Sequence, residues 1–178
     1  MSYLFGISGA LRAASTNTML LHEAARLYGP DRFETGDLRL PLYDADLEAA
    51  EGIPAAVRHL AEQIAGAEAV VIATPEYNKA PPGVLKNALD WVSRVKGNPW
   101  ADKPVAIMSA AAGRAGGERS QFALRLMMNA FRPRLLYGPE VMIGNSSQHF
   151  DAEGRLTDDM AVKLLGELMD QLKAVARG

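Results

Sequence analysis

The chain of 178 residues contains no cysteine, and this absence removes several kinds of chemistry at once. Disulfide bonds, thiolate metal ligands, cysteine nucleophiles and dithiol redox centres all need the missing side chain. A redox function would therefore require a bound cofactor. The three histidines, His22, His59 and His149, are scattered and form no metal-ligand spacing, so no metal site is predicted.

Strong net charge and long apolar segments are also missing. The formal net charge is −2, whereas nucleic acid or an anionic membrane as the main partner would need clustered positive charge. No apolar stretch approaches the length of a membrane span, and residues 1–6 lack the basic start and apolar stretch of a signal peptide. We therefore predict no nucleic-acid partner, no membrane partner and a cytoplasmic location.

The sequence does contain apolar strands that alternate with amphipathic helices, within a composition that is 48% hydrophobic and 22% charged. Strands are predicted at 3–8, 33–38, 69–74 and 105–109, and a fifth at 135–137 and 141–143 is broken at Gly138-Pro139. Helices are predicted at about 17–28, 54–66, 85–95 and 117–131, and a last helix is predicted to start at a Thr157 cap. Residues 40–52 are predicted to form an irregular loop.

This alternation predicts the fold class. Strands separated by helices must be parallel with right-handed crossovers, and strands that are apolar throughout are covered by helices on both faces. Five strands in so short a chain predict a single α/β domain over residues 1–178. Its expected architecture is a flavodoxin-like, doubly wound, five-stranded parallel sheet of order 2-1-3-4-5, in which ligands bind where the order reverses, between strands 1 and 3.

The loop after the first strand has the composition of a phosphate site. Residues 8–17 read Ser-Gly-Ala-Leu-Arg-Ala-Ala-Ser-Thr-Asn, and Arg12 offers a fork suited to phosphate oxygens. Ser15, Thr16 and Asn17 add donors at the start of a helix, where free N–H groups and the helix dipole favour an anion. The loop matches neither a dinucleotide fingerprint nor a Walker motif. A plain polar turn with a helix cap is the alternative interpretation.

The loop after the third strand carries an acid, a phenol and an amide among three prolines. The prolines restrict the backbone and reduce the entropy lost on holding a ligand. Tyr77 is suited to lie against a flat ring, while Glu76 or Asn78 meets the polar edge of that ring. A third loop, at 109–121, is rich in glycine and permits close contact with a planar ligand. The alternatives are a proline-rich turn and a flexible connection, but three such loops on one sheet edge predict a shared site.

These loops carry the signatures of a known family. Residues 9–17 match its G-S-L-R-x-x-S-x-N motif except for Ala10, and residues 75–91 match P-E-Y-N-x-S-x-P-G-x-L-K-N-A-x-D-W except for Ala80. A third motif, G-x-x-G-G-x-R-x-Q, is met at 113–121. The chain thus resembles the NADPH-dependent FMN reductase family, whose flavodoxin-like members include quinone, chromate and azo-dye reductases.

The resemblance implies FMN as the cofactor, with NADPH or NADH as the co-substrate. The residues that it implies to surround FMN are Arg12, Ser15, Thr16 and Asn17 at the phosphate, Pro75, Glu76, Tyr77 and Asn78 at the isoalloxazine and ribityl chain, and Ala111 and Gly113 at the far edge of the ring. It also implies a homodimer or homotetramer, in which Arg119 and Glu140 occupy positions that pair across subunits.

The activity implied by the resemblance is that of an NAD(P)H:acceptor oxidoreductase. Quinones are the leading acceptor, and chromate and azo compounds are further ones. The acceptor is reduced by two electrons, which pass through FMN by ping-pong hydride transfer. No catalytic side chain is expected, because flavin N5 carries the hydride. Two other interpretations stay open: a flavin reductase that supplies FMNH2 to a monooxygenase, and a flavodoxin-like electron carrier. The carrier is weakened by the lack of the strong negative charge that such proteins use for docking.

Overall fold

Strands and helices alternate along residues 3–178, the part of the chain that the computed structural model describes. In chain order the elements are β1 (Leu4–Ser8), α1 (Thr16–Tyr28), β2 (Phe33–Thr35), α2 (Ala45–Glu51), α3 (Ala55–Gly66), β3 (Ala69–Ala73), α4 (Gly83–Ser93), β4 (Pro104–Ala110), α5 (Glu118–Met128), β5 (Arg134–Leu135), β6 (Met142–Ile143) and α6 (Asp159–Arg177). Short 3₁₀ turns follow α5 at Asn129–Phe131 and β6 at Ser146–Gln148.

The strands form one parallel sheet of order β2-β1-β3-β4-β5, and β6 also pairs with β4. In this register Leu4 lies opposite Phe33 on one side and Ala69 on the other, and Val70 lies opposite Val105. The order reverses between β1 and β3, so the carboxyl ends of these two strands border a crevice. The predicted flavodoxin-like α/β fold is confirmed.

Alternate residues of each central strand face opposite apolar layers. In β3, Val71 packs in the layer that contains residues of α1 and α6, whereas Val70 and Ile72 pack in the layer that contains residues of α3, α4 and α5. Because helices cover both faces, the strands are apolar throughout instead of alternating with polar residues. Trp91 of α4 is fully buried and belongs to the core.

The longest helix, α6, is amphipathic. Leu165, Leu168, Met169 and Leu172 are buried on one face of the helix. Across residues 3–178, no helix combines the length and the apolar character that a membrane crossing needs.

The prediction of an irregular loop at 40–52 is wrong, because the region contains α2. Asp44 caps this helix by accepting a hydrogen bond from the backbone N–H of Asp46 at 2.8 Å. No residue of α2 is buried, so the helix has no apolar face. Its sequence is rich in good helix formers but lacks the apolar periodicity from which an amphipathic helix is predicted.

The predicted cap of the last helix is also wrong. Asp158, and not Thr157, accepts a hydrogen bond from the backbone N–H of Ala161 at 2.8 Å. A carboxylate stabilises the positive end of a helix more than a hydroxyl does, because it carries a full charge. The predicted fifth strand is present as two short pieces, β5 and β6, on either side of Gly138-Pro139.

The second strand is shorter than predicted, since β2 ends at Thr35 and does not reach Leu38. The Asp37 carboxylate accepts a hydrogen bond from the backbone N–H of Arg39 at 3.0 Å. A side chain that bonds the backbone two residues ahead favours a turn, so the polar character of this segment ends the strand early.

One buried acid connects α1 to the segment that follows β6. Glu23 accepts hydrogen bonds from Arg26 at 2.9 Å and from Arg155 at 3.0 Å. Burial by itself raises the pKa of Glu23, but the hydrogen bonds and charges of the two arginines outweigh burial, and the pKa lies below its ordinary value. The Arg155 contact holds a short bridge between Phe150 and Leu156 against α1.

We predict that Glu23→Gln lowers the free energy of unfolding at pH 7 by about 1.5–3 kcal/mol, the range for hydrogen bonds to charged groups. A carboxyl whose pKa is lowered by folding contributes stability above its unfolded pKa and loses it as the pH falls through the folded pKa. The difference between parent and variant should therefore shrink below about pH 4.5, the ordinary value for this group. Urea unfolding at several pH values measures this difference.

The matched control is Glu62→Gln, which changes an exposed glutamate of α3. It should stay within about 0.5 kcal/mol of the parent at every pH. A Glu23→Gln effect that does not depend on pH would show that lost packing, and not the ion pairs, causes the destabilisation.

Candidate functional site

A cleft of about 350 Å³ lies at the carboxyl ends of β1, β3 and β4. Its walls come from the loops after these strands, which we name the first loop (9–15), the second loop (74–82) and the third loop (111–117). The 3₁₀ turn after β6 completes the lining. Parallel strands place their carboxyl ends at one edge, so distant parts of the chain meet here. The volume falls within the roughly 300–1,000 Å³ of small-molecule sites.

Eight of the ten predicted site residues line this cleft. They are Arg12, Ser15, Thr16, Asn17, Pro75, Glu76, Tyr77 and Ala111. Asn78 and Gly113 are outside the lining, although each is close in sequence to a residue within it. The structure therefore brings together residues from all three predicted loops.

Two further serines, Ser146 and Ser147, line the cleft and were not predicted. They follow β6, which is only 2 residues long, so the sequence does not show that a strand reaches the site edge here. The sequence feature that could have identified them is the pair of adjacent serines shortly after the second half of the broken fifth strand. Short side chains at four positions complete the lining and leave room for a ligand: Ala10, Ala14, Ala110 and Ala112.

The first loop presents the N-terminus of α1 to the cleft. Ser15 caps this helix, because its Oγ accepts a hydrogen bond from the backbone N–H of Asn17 at 3.2 Å. The exposed Arg12 adds positive charge to the free N–H groups of the first turn, and together they suit an anion. Gly9 allows the loop to pass the second loop closely, since a Cβ there would lie 3.0 Å from Cδ of Pro75.

Asn17 uses its side chain within the protein. Its Nδ2 donates to the carbonyl oxygen of Ala110 at 2.8 Å, and its Oδ1 accepts from the backbone N–H of Ala110 at 3.0 Å. The residue is only 2% exposed. The paired bonds join the start of α1 to the end of β4, so Asn17 positions the first and third loops relative to each other.

Glu76 is bonded to the start of α5. Its Oε2 accepts hydrogen bonds from the backbone N–H groups of Arg119 at 3.1 Å and Ser120 at 3.4 Å. The residue before α5 is Gly117, which has no side chain to cap the helix. The carboxylate therefore supplies an N-cap from another loop. The Arg119 guanidinium adds a contact of 3.6 Å to Oε1 within the same chain, and its predicted pairing with Glu140 across subunits stays a prediction.

The tip of the second loop is a tight two-residue turn. Tyr77 and Ala80 exchange backbone hydrogen bonds of 3.0 and 3.1 Å. Asn78 and Lys79 between them have φ of 51° and 67°, the pattern of a type I′ turn. Asparagine tolerates this conformation, whereas lysine adopts it at some cost. The turn holds the backbone of Tyr77 in one conformation, while its ring stays about half exposed.

The third loop packs closely on β6. Gln121 is fully buried, and its Nε2 donates to Ser109 Oγ at 2.9 Å and to the Val141 carbonyl at 2.8 Å. Gly116 has φ of +62°, and a Cβ there would lie 2.6 Å from the carbonyl carbon of Met142. Glycine is therefore required at this position for the loop to pack so closely on β6.

The lining fits FMN on structural grounds. One end of the cleft has the arginine, the hydroxyls and the helix N-terminus that suit a phosphate monoester. The rest lies between the alanines at 110–112 and the proline and tyrosine of the second loop, whose small and flat surfaces suit a planar ring. Among residues 3–178, no three His, Asp or Glu side chains are grouped so that they could hold a metal ion.

Comparison with known proteins agrees with this geometry. The family model described as NADPH-dependent FMN reductase matches residues 3–148. The chain is 44% identical over 176 residues to an NAD(P)H-dependent FMN reductase of Pseudomonas aeruginosa, with 98% of this chain and 95% of that protein covered. It is 40% identical over 167 residues to a quinone reductase of Escherichia coli strain K12, with 92% and 82% covered.

A solved structure is also similar over nearly the whole chain. It is FerB, a flavoenzyme NAD(P)H:(acceptor) oxidoreductase from Paracoccus denitrificans. The TM-score is 0.87 at 29% sequence identity, and the match covers 99% of this chain and 98% of that one.

We predict that Glu76→Ala removes the cap of α5 and lowers the free energy of unfolding of the ligand-free protein by about 0.5–2 kcal/mol, as for other N-caps. The backbone N–H groups of Arg119 and Ser120 should exchange faster with solvent, because they lose their acceptor. Glu76→Gln keeps an acceptor oxygen but loses the charge, so its effects should be intermediate. Urea unfolding and amide hydrogen exchange measure both effects.

Asp90→Ala is the control, since it removes an exposed carboxylate that pairs with Lys86 one helical turn away. It should cost no more than about 0.5 kcal/mol and leave the exchange at the start of α5 unchanged. Unaltered exchange at residues 119 and 120 in Glu76→Ala would contradict the capping role.

Proposed function

The chain belongs to the NADPH-dependent FMN reductase family, and on that basis we propose that it acts as a single FMN-binding domain, an FMN-dependent NAD(P)H:acceptor oxidoreductase. The resemblance inferred from the sequence motifs is thereby confirmed. The observation that supports the activity most strongly in this chain is the cleft that joins an anion-binding helix terminus to a flat, proline-bordered wall. Quinones are the proposed acceptors, a choice supported by the likeness to the quinone reductase of Escherichia coli.

The proposed phosphate end of the site is at the start of α1. Arg12 and the hydroxyls of Ser15 and Thr16 donate to the phosphate oxygens, and the helix N-terminus stabilises the negative charge. Asn17 contributes by fixing this helix to the end of β4, since its side chain is already hydrogen-bonded.

The proposed ring end lies between the second and third loops. Pro75 and Tyr77 border the isoalloxazine and ribityl chain, and the backbone at Ala111 and Ala112 borders the far edge of the ring. Asn78 and Gly113, which are next in sequence to these residues but outside the lining, are proposed as further contacts. Glu76 holds this wall in place through its bonds to α5. We expect backbone N–H groups of the second loop to stabilise negative charge on the ring, because oriented dipoles in a partly dry site are effective there.

FMN, when bound, supplies the acceptance of hydride from NAD(P)H and the delivery of two electrons to the acceptor. The chain supplies affinity, orientation and a partly enclosed cleft. Both charged side chains in the lining have other roles, since the Glu76 carboxylate is engaged with α5 and Arg12 serves the phosphate. Because FMN would carry the hydride, the proposal needs no side chain as an acid, a base or a nucleophile.

The visible spectrum of the purified protein tests this function. After addition of FMN and desalting, the flavin absorbance should be retained, bleach on anaerobic titration with NADPH and return on addition of benzoquinone. Retained flavin that NADPH does not reduce would indicate an electron carrier. Loss of flavin on desalting, with free FMN reduced in turnover, would indicate a flavin reductase. No interaction with flavin would overturn the proposal.

Arg12→Ala gives the matching test of the site. Loss of a charge-assisted hydrogen bond should weaken FMN binding roughly 10- to 100-fold. The control is Arg177→Ala in the last turn of α6, which pairs with Glu68 at the start of β3 and is thus at the opposite edge of the sheet. Equal affinities for the two variants would contradict the assignment of the phosphate end.

We also propose a homodimer or homotetramer. Apolar side chains are exposed on α5, with Phe122 at 49% and Leu126 at 72%, and a self-association interface would cover such residues. Light scattering at micromolar concentration should give the mass of two or four chains, and Leu126→Lys should lower it. The mass of one chain for the parent protein would overturn this part of the proposal.

A further inference from the structure

We infer that Ser146 and Ser147 form a second hydroxyl group on the phosphate end of the FMN site, opposite the first loop. The inference rests on the proposed function and adds residues that the family motifs of the chain do not include. The two serines lie 130 positions or more from Thr16 in the sequence but line the same cleft.

Ser146 is placed at the phosphate end by a direct contact. Its Oγ lies 3.1 Å from Oγ1 of Thr16, the first residue of α1. Its backbone N–H donates to the carbonyl oxygen of Ala111 at 3.1 Å, and the residue is only 5% exposed. Because both the backbone and the hydroxyl are held, Ser146 faces the cleft from a fixed position between the first and third loops.

The two hydroxyls have hydrogen-bonding capacity to spare. Thr16 and Ser146 carry one hydroxyl hydrogen each, and the bond between them uses one of the two. The other hydrogen is available to an acceptor in the cleft. The pair can therefore donate to a phosphate oxygen without breaking its own hydrogen bond, and no proton has to be taken up or released.

Ser147 extends this group toward solvent. It is exposed and lines the cleft beside Ser146, so its hydroxyl can turn toward a ligand at little cost. A phosphate monoester has three strongly accepting oxygens, so it can accept hydrogen bonds from donors on both sides of the cleft.

Ala10 explains why donors from this segment matter in this chain. Ala10 lines the cleft in the first loop but has no hydroxyl to offer. The first loop therefore has one hydroxyl fewer at the anion end than the motif that it resembles. Ser146 and Ser147 supply hydroxyls to the same cleft from the other side.

Comparison of FMN with riboflavin tests the inference, because riboflavin has the same ring and chain but no phosphate. Affinities of the flavin-free protein are measured by quenching of flavin fluorescence. Ser147→Ala should weaken FMN binding roughly 10-fold, and Ser146→Ala with Ser147→Ala together roughly 10- to 100-fold. Riboflavin affinity should change less than about twofold in both variants, since the phosphate is the only part of FMN that the removed hydroxyls are proposed to reach.

Two further variants complete the test. Ser147→Glu places a negative charge beside the phosphate at an exposed position that tolerates substitution, and it should weaken FMN binding more than Ser147→Ala while leaving riboflavin binding unchanged. Ser93→Ala is the matched control, because it removes an exposed hydroxyl that donates to the Asp90 carbonyl at 2.6 Å on α4, outside the cleft. It should change neither affinity.

The outcomes separate the inference from the proposed function. Equal losses for FMN and riboflavin would mean that the serines only support the fold, and unchanged FMN affinity would mean that they do not reach the phosphate; either result overturns the inference. If the parent protein binds riboflavin and FMN equally, the site has no phosphate end, and both the inference and the assignment of the first loop fail. If the parent binds no flavin, the proposed function itself fails.

Discussion

The side-chain amide of Asn17 and the backbone amide of Ala110 form a pair of hydrogen bonds that fixes where α1 begins relative to the end of β4. This spacing relates two of the three loops that line the cleft. It sets the distance between the helix N-terminus, which attracts an anion, and the third loop, which closes over the ring end. It also brings Thr16 to the hydroxyl of Ser146. Burying this asparagine costs little free energy, because its side chain is hydrogen-bonded to one backbone N–H and one backbone C=O and none of these groups is left without a partner.

Glu76 likewise fixes the second loop relative to the start of α5 through hydrogen bonds to backbone groups. With both connections made, the loops do not need to be ordered by a ligand, so less of the binding free energy is lost as conformational entropy. Asn17 and Glu76 both belong to motifs that the sequence associates with FMN, yet each uses its side chain on protein backbone. In the proposed site, their contribution to binding is to hold residues such as Arg12 and Tyr77 in place, which is how a preorganised site gains precision.

Much of the fold was predictable because the central strands are apolar throughout and alternate with amphipathic helices, a pattern that only a parallel sheet covered on both faces explains. The site was predictable where its residues lie in sequence beside a long strand, as Arg12 and Tyr77 do. It was not predictable where the partner is a backbone group, because Ala110 has nothing in its side chain to show that it pairs with Asn17. Ser146 was missed for a related reason: β6 is too short to leave a periodic signal. The exposed helix α2 left no periodic signal either.

The phosphate end of the site thus connects two parts of the chain that are far apart in sequence. The first loop is continuous with α1, and the segment after β6 is held against α1 by the bond between Arg155 and Glu23 as well as by the contact between Ser146 and Thr16. A ligand that bonds to both sides of the cleft stabilises both against opening, and by mass action it stabilises the folded chain by an amount that rises with the logarithm of its concentration once this exceeds Kd. The net charge of the chain is −2, so the attraction for an anionic cofactor does not come from the overall charge. In the proposed site it comes from one arginine, one helix terminus and a few hydroxyls that the sheet edge places together, and such local sources act at short range, where screening by salt is weak.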